Sequence, residues 1–335
     1  MSDPTHVCFY HFPCNDGIAS AWVVSQSLPN AELMGVKPGC KEIDPEKYNG
    51  KYIYFTDVCP NLELLTRLLD LGNRVTILDH HISNQRMLEE IPGGDNLHIT
   101  FDMNRSGCQI TWDHFNPDPD DEQGGSFLRP WFIDYIGDRD LWKFELEDSR
   151  IVNLALSEFG YVSLEGLSTL PNTHFATDYN FIRDNLVIPG TIIDQKHSRM
   201  MKRDLKKAVK AEMMVLEKNS DGEEQYSIYD VWIGSTYGYL TSDFGHLMYE
   251  TPFPKENEDQ PDVYPDFAVV WSYRLDTDTW KYSLRAGKRG EMSADEAVDV
   301  SQIAARYGGG GHKAAAGFEI KGEDGHPYNI FNFEL

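Results

Sequence analysis

The sequence predicts a two-domain α/β protein, with a parallel sheet in the N-terminal domain and a smaller α/β domain after a long connecting helix. The chain of 335 residues is longer than one hydrophobic core usually supports. Its first half alternates strand-like runs with helical patterns, which is typical of βαβ units and of a parallel sheet. We place the domains at residues 1–192 and 223–335, with the connecting helix over 193–222.

Each element of the N-terminal domain is predicted from its own pattern. Short β-branched or aromatic runs that end in polar residues predict strands over His6–Tyr10, Lys51–Phe55 and Arg74–Leu78. Amphipathic patterns between them predict helices over Asp16–Ser27 and Pro60–Leu71. Open parallel sheets bind ligands at the carboxyl ends of their strands, so this edge is where we expect the site.

The C-terminal half begins with a long basic stretch. Asp194–Lys218 contains neither Pro nor Gly, which predicts a helix that joins two domains, and a solvated face accounts for its basic residues. The runs YSIYDVWI, DFAVVWSYRL and TWKYSLRA that follow predict strands, and a short helix and a glycine run come after them. These patterns indicate the smaller α/β domain.

Composition and charge restrict the class of function. With 41% hydrophobic and 25% charged residues, no apolar run of the roughly 18–20 residues that a membrane span needs and no signal-peptide pattern, we expect a cytoplasmic protein without a membrane partner. Five scattered cysteines without CxxC spacing argue against a disulfide framework. A net charge of −24 disfavours binding of long duplex DNA, so an anionic substrate should be small and locally held.

Ionisable side chains follow predicted strands or helices at four places. Individually, Asp16 and Asp57 have a simpler explanation as helix caps. Three consecutive ionisable residues at a strand end resist a packing explanation, because burying them costs several kcal/mol unless they are paired or bind metal. Together the groups form a ligand set for Mn²⁺, Mg²⁺ or Co²⁺. They are His11, Cys14, Asp16, Asp57, Asp79, His80, His81 and Asp138, with Asp140 as the competitor of Asp138.

The segments HFPCNDG, FTDV, LDHH and YIGDRDLW resemble, in order and spacing, the four successive motifs of the DHH phosphoesterase family. SLRAGKRG and GGGGHKAAAGF resemble its DHH-associated C-terminal domain, so the resemblance covers nearly the whole chain and is closest to nanoRNase or oligoribonuclease-like members. Cys14 departs from the usual aspartate, in a form similar to that of exopolyphosphatase-related members.

The resemblance implies two divalent cations, with Mn²⁺ expected first and Co²⁺, Fe²⁺, Zn²⁺ or Mg²⁺ left open by the thiol of Cys14. It also implies that His81 acts beside the scissile phosphate and that Asp79 orients the neighbouring imidazoles. The implied metal ligands are His11, Cys14 and Asp57 for one cation, and Asp16, Asp57, His80 and Asp138 for the other.

The C-terminal motif implies a substrate-binding site, with the active site in the cleft between the two domains. Glycine amides approach phosphate without steric cost, while basic side chains hold a terminal phosphate or a base. Lys281, Arg285, Lys288 and Arg289 form an acid-free basic stretch, for which a protected edge strand is the alternative explanation. The implied substrate-binding residues are Arg285, Gly309, Gly310, Gly311 and His312.

The expected function is hydrolysis, by metal-activated water, of phosphodiester or terminal phosphate bonds in short single-stranded oligonucleotides or small nucleotides. Exopolyphosphatase, pyrophosphatase and RecJ-like single-strand exonuclease activities are the alternatives within the enzyme class. A nucleotide-binding regulatory protein, inactivated by the change at Cys14, is the alternative outside it. The sequence leaves a homodimer open.

Overall fold

The computed structural model divides the chain into two compact units, Met1–Asp194 and Gln195–Leu335. Both combine helices with a β-sheet, which confirms the predicted α/β class. Among the described helices, none combines the length and the hydropathy needed to cross a membrane. The acidic, proline-bearing stretch Asn116–Gly125, whose composition predicts a surface loop, lies largely outside the described residues, and Lys288 lies outside them entirely. The structure describes residues 5–91, 94–117, 128–171, 175–218, 224–255, 257–287, 289 and 296–333.

The first unit contains a five-stranded sheet in the order β2-β1-β3-β4-β5, and every neighbouring pair is parallel. The three predicted strands, β1, β3 and β4, are confirmed at its centre. The two outer strands, β2 and β5, were not predicted. The strands are β1 (His6–His11), β2 (Glu32–Val36), β3 (Tyr52–Thr56), β4 (Arg74–Asp79) and β5 (Leu97–Phe101).

Helices pack against this sheet and against one another, and they complete two hydrophobic clusters. The last of them, α9, continues into the second unit. Phe9 and Phe55 stack with ring centroids 5.2 Å apart and pack with Leu68 in one cluster, while Trp22 and Phe132 belong to the other. The predicted helices α1 and α2 are confirmed. The helices are α1 (Asn15–Ser27), α2 (Leu62–Asp70), α3 (Ile82–Glu90), α4 (Gly107–Phe115), α5 (Trp131–Asp140), α6 (Ser149–Glu158), α7 (Leu164–Thr169), α8 (Phe175–Ile182) and α9 (Ile188–Leu205).

The second unit contains a seven-stranded sheet in the order β10-β11-β9-β8-β7-β6-β12, antiparallel except between β7 and β8. Phe244 of α10 and Ile303 of α11 belong to the hydrophobic cluster of this unit. The strands predicted here, β7, β8 and β9, are confirmed. The elements are β6 (Val209–Lys218), β7 (Glu224–Gly234), α10 (Thr241–Tyr249), β8 (Phe267–Arg274), β9 (Thr279–Arg285), α11 (Val300–Arg306), β10 (Gly310–His312), β11 (Ala315–Lys321), α12 (Pro327–Ile330) and β12 (Phe331–Phe333).

The predicted connecting helix over 193–222 is wrong beyond Leu205, where α9 ends and the long strand β6 soon begins. The Met, Ala, Leu and Glu residues of this stretch favour helix by intrinsic propensity. Burial nevertheless alternates with a period of two, since Ala211 and Met213 are buried while Met214 is 57% exposed. Pairing and packing within the sheet therefore outweigh local propensity. Residues 219–222 of the predicted helix lie outside the described part of the chain.

Candidate metal centre

The ionisable residues of the first unit lie at the carboxyl edge of its sheet, where the strand order reverses. Strands β1 and β3 are neighbours, and successive strands lie outward from them in opposite directions. In doubly wound α/β folds this reversal opens a crevice at the carboxyl ends of the strands. His11 ends β1, Asp57 follows β3, and Asp79 ends β4, so the topology alone brings them to one place.

Asp57 lies at the centre of this group. It is buried, and its backbone adopts φ +57°, a left-handed conformation that is uncommon outside glycine and often marks a functional constraint. Its two carboxylate oxygens reach different imidazoles, with Oδ2 3.3 Å from His11 Nδ1 and Oδ1 3.1 Å from His80 Nε2. Asp57 can therefore be shared between two ligand groups.

Three carboxylates lie near one ring nitrogen of His80. Its Nε2 atom lies 3.1 Å from Asp57 Oδ1, 3.5 Å from Asp140 Oδ2 and 3.8 Å from Asp16 Oδ2. Ligand atoms of Asp16, Asp57 and His80 all lie within 4.8 Å of one another, as do those of His11, Asp57 and His81. These two sets share Asp57, which is the residue that the sequence analysis placed between two cations.

Asp16 is held by the amino end of α4. Its Oδ2 accepts a hydrogen bond of 2.6 Å from the N–H of Gly107, and its Oδ1 accepts one of 3.0 Å from the N–H of Cys108. A helix amino terminus favours such a negative charge. A Cβ atom on Gly107 would lie 2.5 Å from Asp57 Cβ, so glycine is needed for this approach. Gly107 was not predicted as a site residue, although the capping-box residue Ser106 before it marks the helix start.

Asp79 fixes the orientation of His81. Its Oδ1 accepts a hydrogen bond of 2.7 Å from His81 Nδ1, and its Oδ2 accepts one of 2.7 Å from Asn84 Nδ2. The N–H of His80 also donates to Asp79 Oδ1 at 2.9 Å. Asp79 thus organises the whole turn after β4, which is the arrangement that its predicted orienting role requires.

Asp138, the ligand expected from the sequence, and its competitor Asp140 make different contacts. Both lie in the last turn of α5 (Trp131–Asp140). The Asp138 carboxylate accepts hydrogen bonds from the N–H groups of Glu145 at 2.9 Å and Leu146 at 3.4 Å, so it folds back the following loop. Asp140 is the one that lies beside His80. Side chains two positions apart on a helix point in different directions. The sequence spacing alone did not decide which of the two aspartates faces His80.

The environment of Cys14 is strongly acidic. Cys14 is the N-cap residue of α1, and its thiol makes no capping hydrogen bond there. Burial raises the pKa of this thiol well above its usual range, and the charges of Asp57, Asp140 and Asp16 raise it further. The sulfur is therefore protonated unless a cation lies beside it, since a nearby cation stabilises the thiolate.

The pKa shifts of the cluster follow from burial and from the carboxylates that surround its side chains. Burial, reinforced by the charges of Asp57 and Asp140, raises the pKa of Asp16 to about 8. For His80 and His81 burial favours the neutral ring, but hydrogen bonds to carboxylates and the charges around them prevail and raise the pKa values to about 10 and about 9. Buried carboxylates and imidazoles in this proportion are a donor set that fits hard or borderline divalent cations.

The predicted substrate-binding residues of the second unit gather at one end of its sheet. His312 of β10 and Arg285 of β9 both lie opposite Ala315 of β11, so the three side chains share one row and one face. Close packing alone explains the glycines at 309 and 311. A Cβ atom on Gly309 would lie 2.0 Å from the Gly317 carbonyl oxygen, and one on Gly311 would lie 2.5 Å from the Ala315 carbonyl oxygen. The last residue of the predicted set, Gly310, would meet no such neighbour within 4 Å.

Comparison with known proteins gives one clear sequence relative. No protein-family model matches the chain. An uncharacterized protein of Acanthamoeba polyphaga mimivirus, R106, is 27% identical over 340 residues, which cover 96% of this chain and 69% of the viral protein. The name of this relative states no activity.

Three solved structures show a loose likeness. An uncharacterized protein of Helicobacter pylori has TM-score 0.36 at 16% identity, covering 94% of this chain and 93% of its own. The pGpG-specific phosphodiesterase PggH of Vibrio cholerae has TM-score 0.36 at 12% identity, covering 96% and 94%. The DHH domain of a protein described as a member of a ribosomal-protein family has TM-score 0.46 at 11% identity, covering 98% and 83%. At TM-scores below 0.5 these likenesses transfer neither an activity nor a site to this chain.

Proposed function

We propose that this chain is a phosphoesterase of the DHH type that depends on divalent cations and hydrolyses phosphodiester or terminal phosphate bonds in short oligonucleotides or small nucleotides. The observation that carries the proposal is the convergence of Asp16, Asp57 and Asp140 on His80 Nε2 within 3.1 to 3.8 Å. Asp16 and Asp57 are buried, whereas the side chain of Asp140 is 24% exposed. Carboxylates this close to one another repel unless positive charge lies among them. The resemblance of four successive sequence motifs supports the same assignment.

Two cations fit the donor set, and Mn²⁺ remains the first expectation. Asp16, Asp57, His80 and Asp140 would hold one cation, with Asp140 replacing Asp138 in the expected ligand set. His11 and Asp57 would hold the other, and the thiol of Cys14 is the soft ligand that would favour Co²⁺, Fe²⁺ or Zn²⁺ over Mg²⁺. Bound cations of this kind supply Lewis acidity, which activates water and stabilises negative charge on phosphoryl oxygens.

The side chains of the protein would contribute positioning and one proton. Asp79 holds His81 through Nδ1. Burial lowers the pKa of His81, but this hydrogen bond and the negative charges of Asp79 and Asp57 prevail and raise it to about 9. A protonated, oriented imidazole can donate a hydrogen bond to a phosphoryl oxygen or a proton to the leaving oxygen. His81 is therefore the proposed general acid, and Asp79 is its positioning residue.

The second unit would bind the rest of the substrate. Arg285 and His312 share one row of the sheet, and Gly310 leaves open space beside the edge strand β10. A guanidinium and exposed backbone amides are groups that bind phosphate. The net charge of −24 repels a long anionic duplex, whereas a short anion could be held by these few groups alone.

The proposal is tested with the full chain, stripped of metal and reloaded separately with Mn²⁺, Co²⁺, Fe²⁺, Zn²⁺ and Mg²⁺. Each preparation is analysed for bound metal and assayed with two- to five-nucleotide oligomers, 3′-phosphoadenosine 5′-phosphate, pyrophosphate and polyphosphate. We expect turnover of the nucleotides with at least one cation. A preparation that binds metal and nucleotide yet hydrolyses nothing would establish the regulatory alternative, and preference for polyphosphate or pyrophosphate would move the enzyme to that class.

A further inference from the structure

Two tyrosines of the second unit form an exposed, stacked pair of rings. Tyr237 and Tyr239 lie in the segment between β7 and α10, and they are 51% and 57% exposed. Their ring centroids are 6.0 Å apart and their planes are inclined by 27°, so the rings are stacked. Single exposed apolar residues are ordinary on a protein surface. The outer face of an exposed, stacked pair of rings is an aromatic surface on which another π system can stack.

The segment that carries these rings is fixed from several sides. Thr236 Oγ1 donates to Asp204 Oδ2 at 3.0 Å, and the N–H of Leu240 donates to the Tyr237 carbonyl at 2.8 Å. The ring of Tyr239 lies 5.2 Å from the ring of the buried His197. A platform that is ordered before the ligand arrives loses little conformational entropy on binding.

The guanidinium of Arg285 lies near the segment that carries the two tyrosines. The residues Gly238–Leu240 form a short 3₁₀ turn that continues directly into α10, so Tyr239 and Ser242, three positions apart, are neighbours at roughly 5–6 Å between Cβ atoms. Arg285 Nη2 donates to Ser242 Oγ at 2.8 Å. The stem of Arg285 packs at Gly245, so the side chain runs along α10 toward its tyrosine-bearing end.

We propose that Tyr237 and Tyr239 form a stacking platform for a nucleobase, with Arg285 holding a phosphate of the same ligand. Tyr239 lies three positions before Ser242, the hydrogen-bond partner of Arg285, which is about one helical turn and the scale of a nucleotide. Every base has a flat π face that can stack on such rings, whereas pyrophosphate and polyphosphate have none. Resting on the proposed function, this inference names the substrate class as nucleotides and short single-stranded oligonucleotides.

The test replaces both rings in the full-length chain and measures kinetics with 5′-phosphorylated diadenylate. The variant Tyr237→Leu/Tyr239→Leu keeps apolar side chains but removes both π faces, and its KM should rise roughly tenfold or more while kcat stays close to that of the parent. Tyr237→Phe/Tyr239→Phe keeps both faces and should keep the low KM. An unchanged KM in the Leu variant overturns the platform.

A matched control comes from two other exposed tyrosines of the same unit. Tyr226 and Tyr328 are 67% and 70% exposed, so Tyr226→Leu/Tyr328→Leu removes as much exposed aromatic surface elsewhere. This control should leave KM unchanged. If it raises KM as far as the platform variant does, the effect is a general one of surface aromatic residues and the platform is refuted.

Equilibrium binding separates this inference from the proposed function. Calorimetry with 5′-phosphorylated diadenylate needs no turnover, and it is run on the parent, the Leu variant and the Phe variant after circular dichroism has verified that each is folded. If no substrate is hydrolysed but the Leu variant alone binds about tenfold more weakly, the proposed function fails and the platform stands. Equal binding by all three, or no binding by the parent, overturns the platform even if the enzyme is active.

Discussion

The two units present their candidate functional residues in opposite ways. In the first unit, Asp16, Asp57 and His80 are buried at the ends of parallel strands, where burial without positive charge is unfavourable. In the second unit, the glycine run lies at the end of a sheet, and close packing against β11 explains Gly309 and Gly311 by itself. A buried polar cluster is thus evidence of function because it costs stability, whereas a glycine run becomes evidence only at positions that packing leaves unexplained.

The largest effect is expected from Asp57→Asn. Asparagine keeps the shape of the side chain and tolerates the left-handed φ of +57°, so the substitution mainly removes charge from the residue shared by both ligand groups. We expect loss of bound metal and a fall in turnover of more than ~10³-fold. Plasma mass spectrometry of the metal and a turnover assay measure both. Full metal content and activity in this variant would contradict the shared-ligand assignment.

His81→Ala should separate catalysis from metal binding. His81 hydrogen-bonds Asp79 and has a pKa raised to about 9 against the effect of burial, but it is the proposed general acid and not a proposed ligand. The variant should keep its metal and lose roughly 10²- to 10⁴-fold in turnover. Asp79→Asn, which disturbs the orientation of His81, should produce a smaller loss of the same kind. Metal loss in His81→Ala equal to that in Asp57→Asn would refute the division of roles.

Asp140→Asn and Asp138→Asn form a matched pair two residues apart. Asp140 faces His80, so its variant should bind metal more weakly and lose about 10²-fold in turnover, with little change in stability. Asp138 accepts from the backbone of the following loop, so its variant should keep metal and lose about 1–2 kcal/mol of unfolding free energy. Metal titration and thermal unfolding distinguish them. The reverse pattern would restore Asp138 as the ligand.

Features that depend on local sequence patterns could be predicted from the sequence. Strand-end placement made Asp57 and Asp79–His81 candidate site residues, because polar residues after an apolar strand are visible in the sequence without knowledge of their neighbours in space. The contact between Gly107 and Asp57 joins residues 50 positions apart, and nothing in the local pattern around Gly107 indicates it. Strand β6 was missed for a related reason, since its alternating burial is imposed by pairing with β7 and β12 rather than by its helix-favouring residues.

Gly310→Ala has the smallest expected effect, and it tests the second unit directly. Gly310 has no neighbour within 4 Å of an added Cβ, so alanine should leave the unfolding free energy nearly unchanged. If substrate approaches the backbone of β10, the added methyl group should raise KM about three- to tenfold, since close approach is what a glycine permits. Gly309→Ala is the contrasting variant, because its Cβ would lie 2.0 Å from the Gly317 carbonyl and should destabilise the unit whatever binds there. An unchanged KM in Gly310→Ala would mean that the glycine run serves packing alone, and that the substrate contacts of this unit come from its side chains.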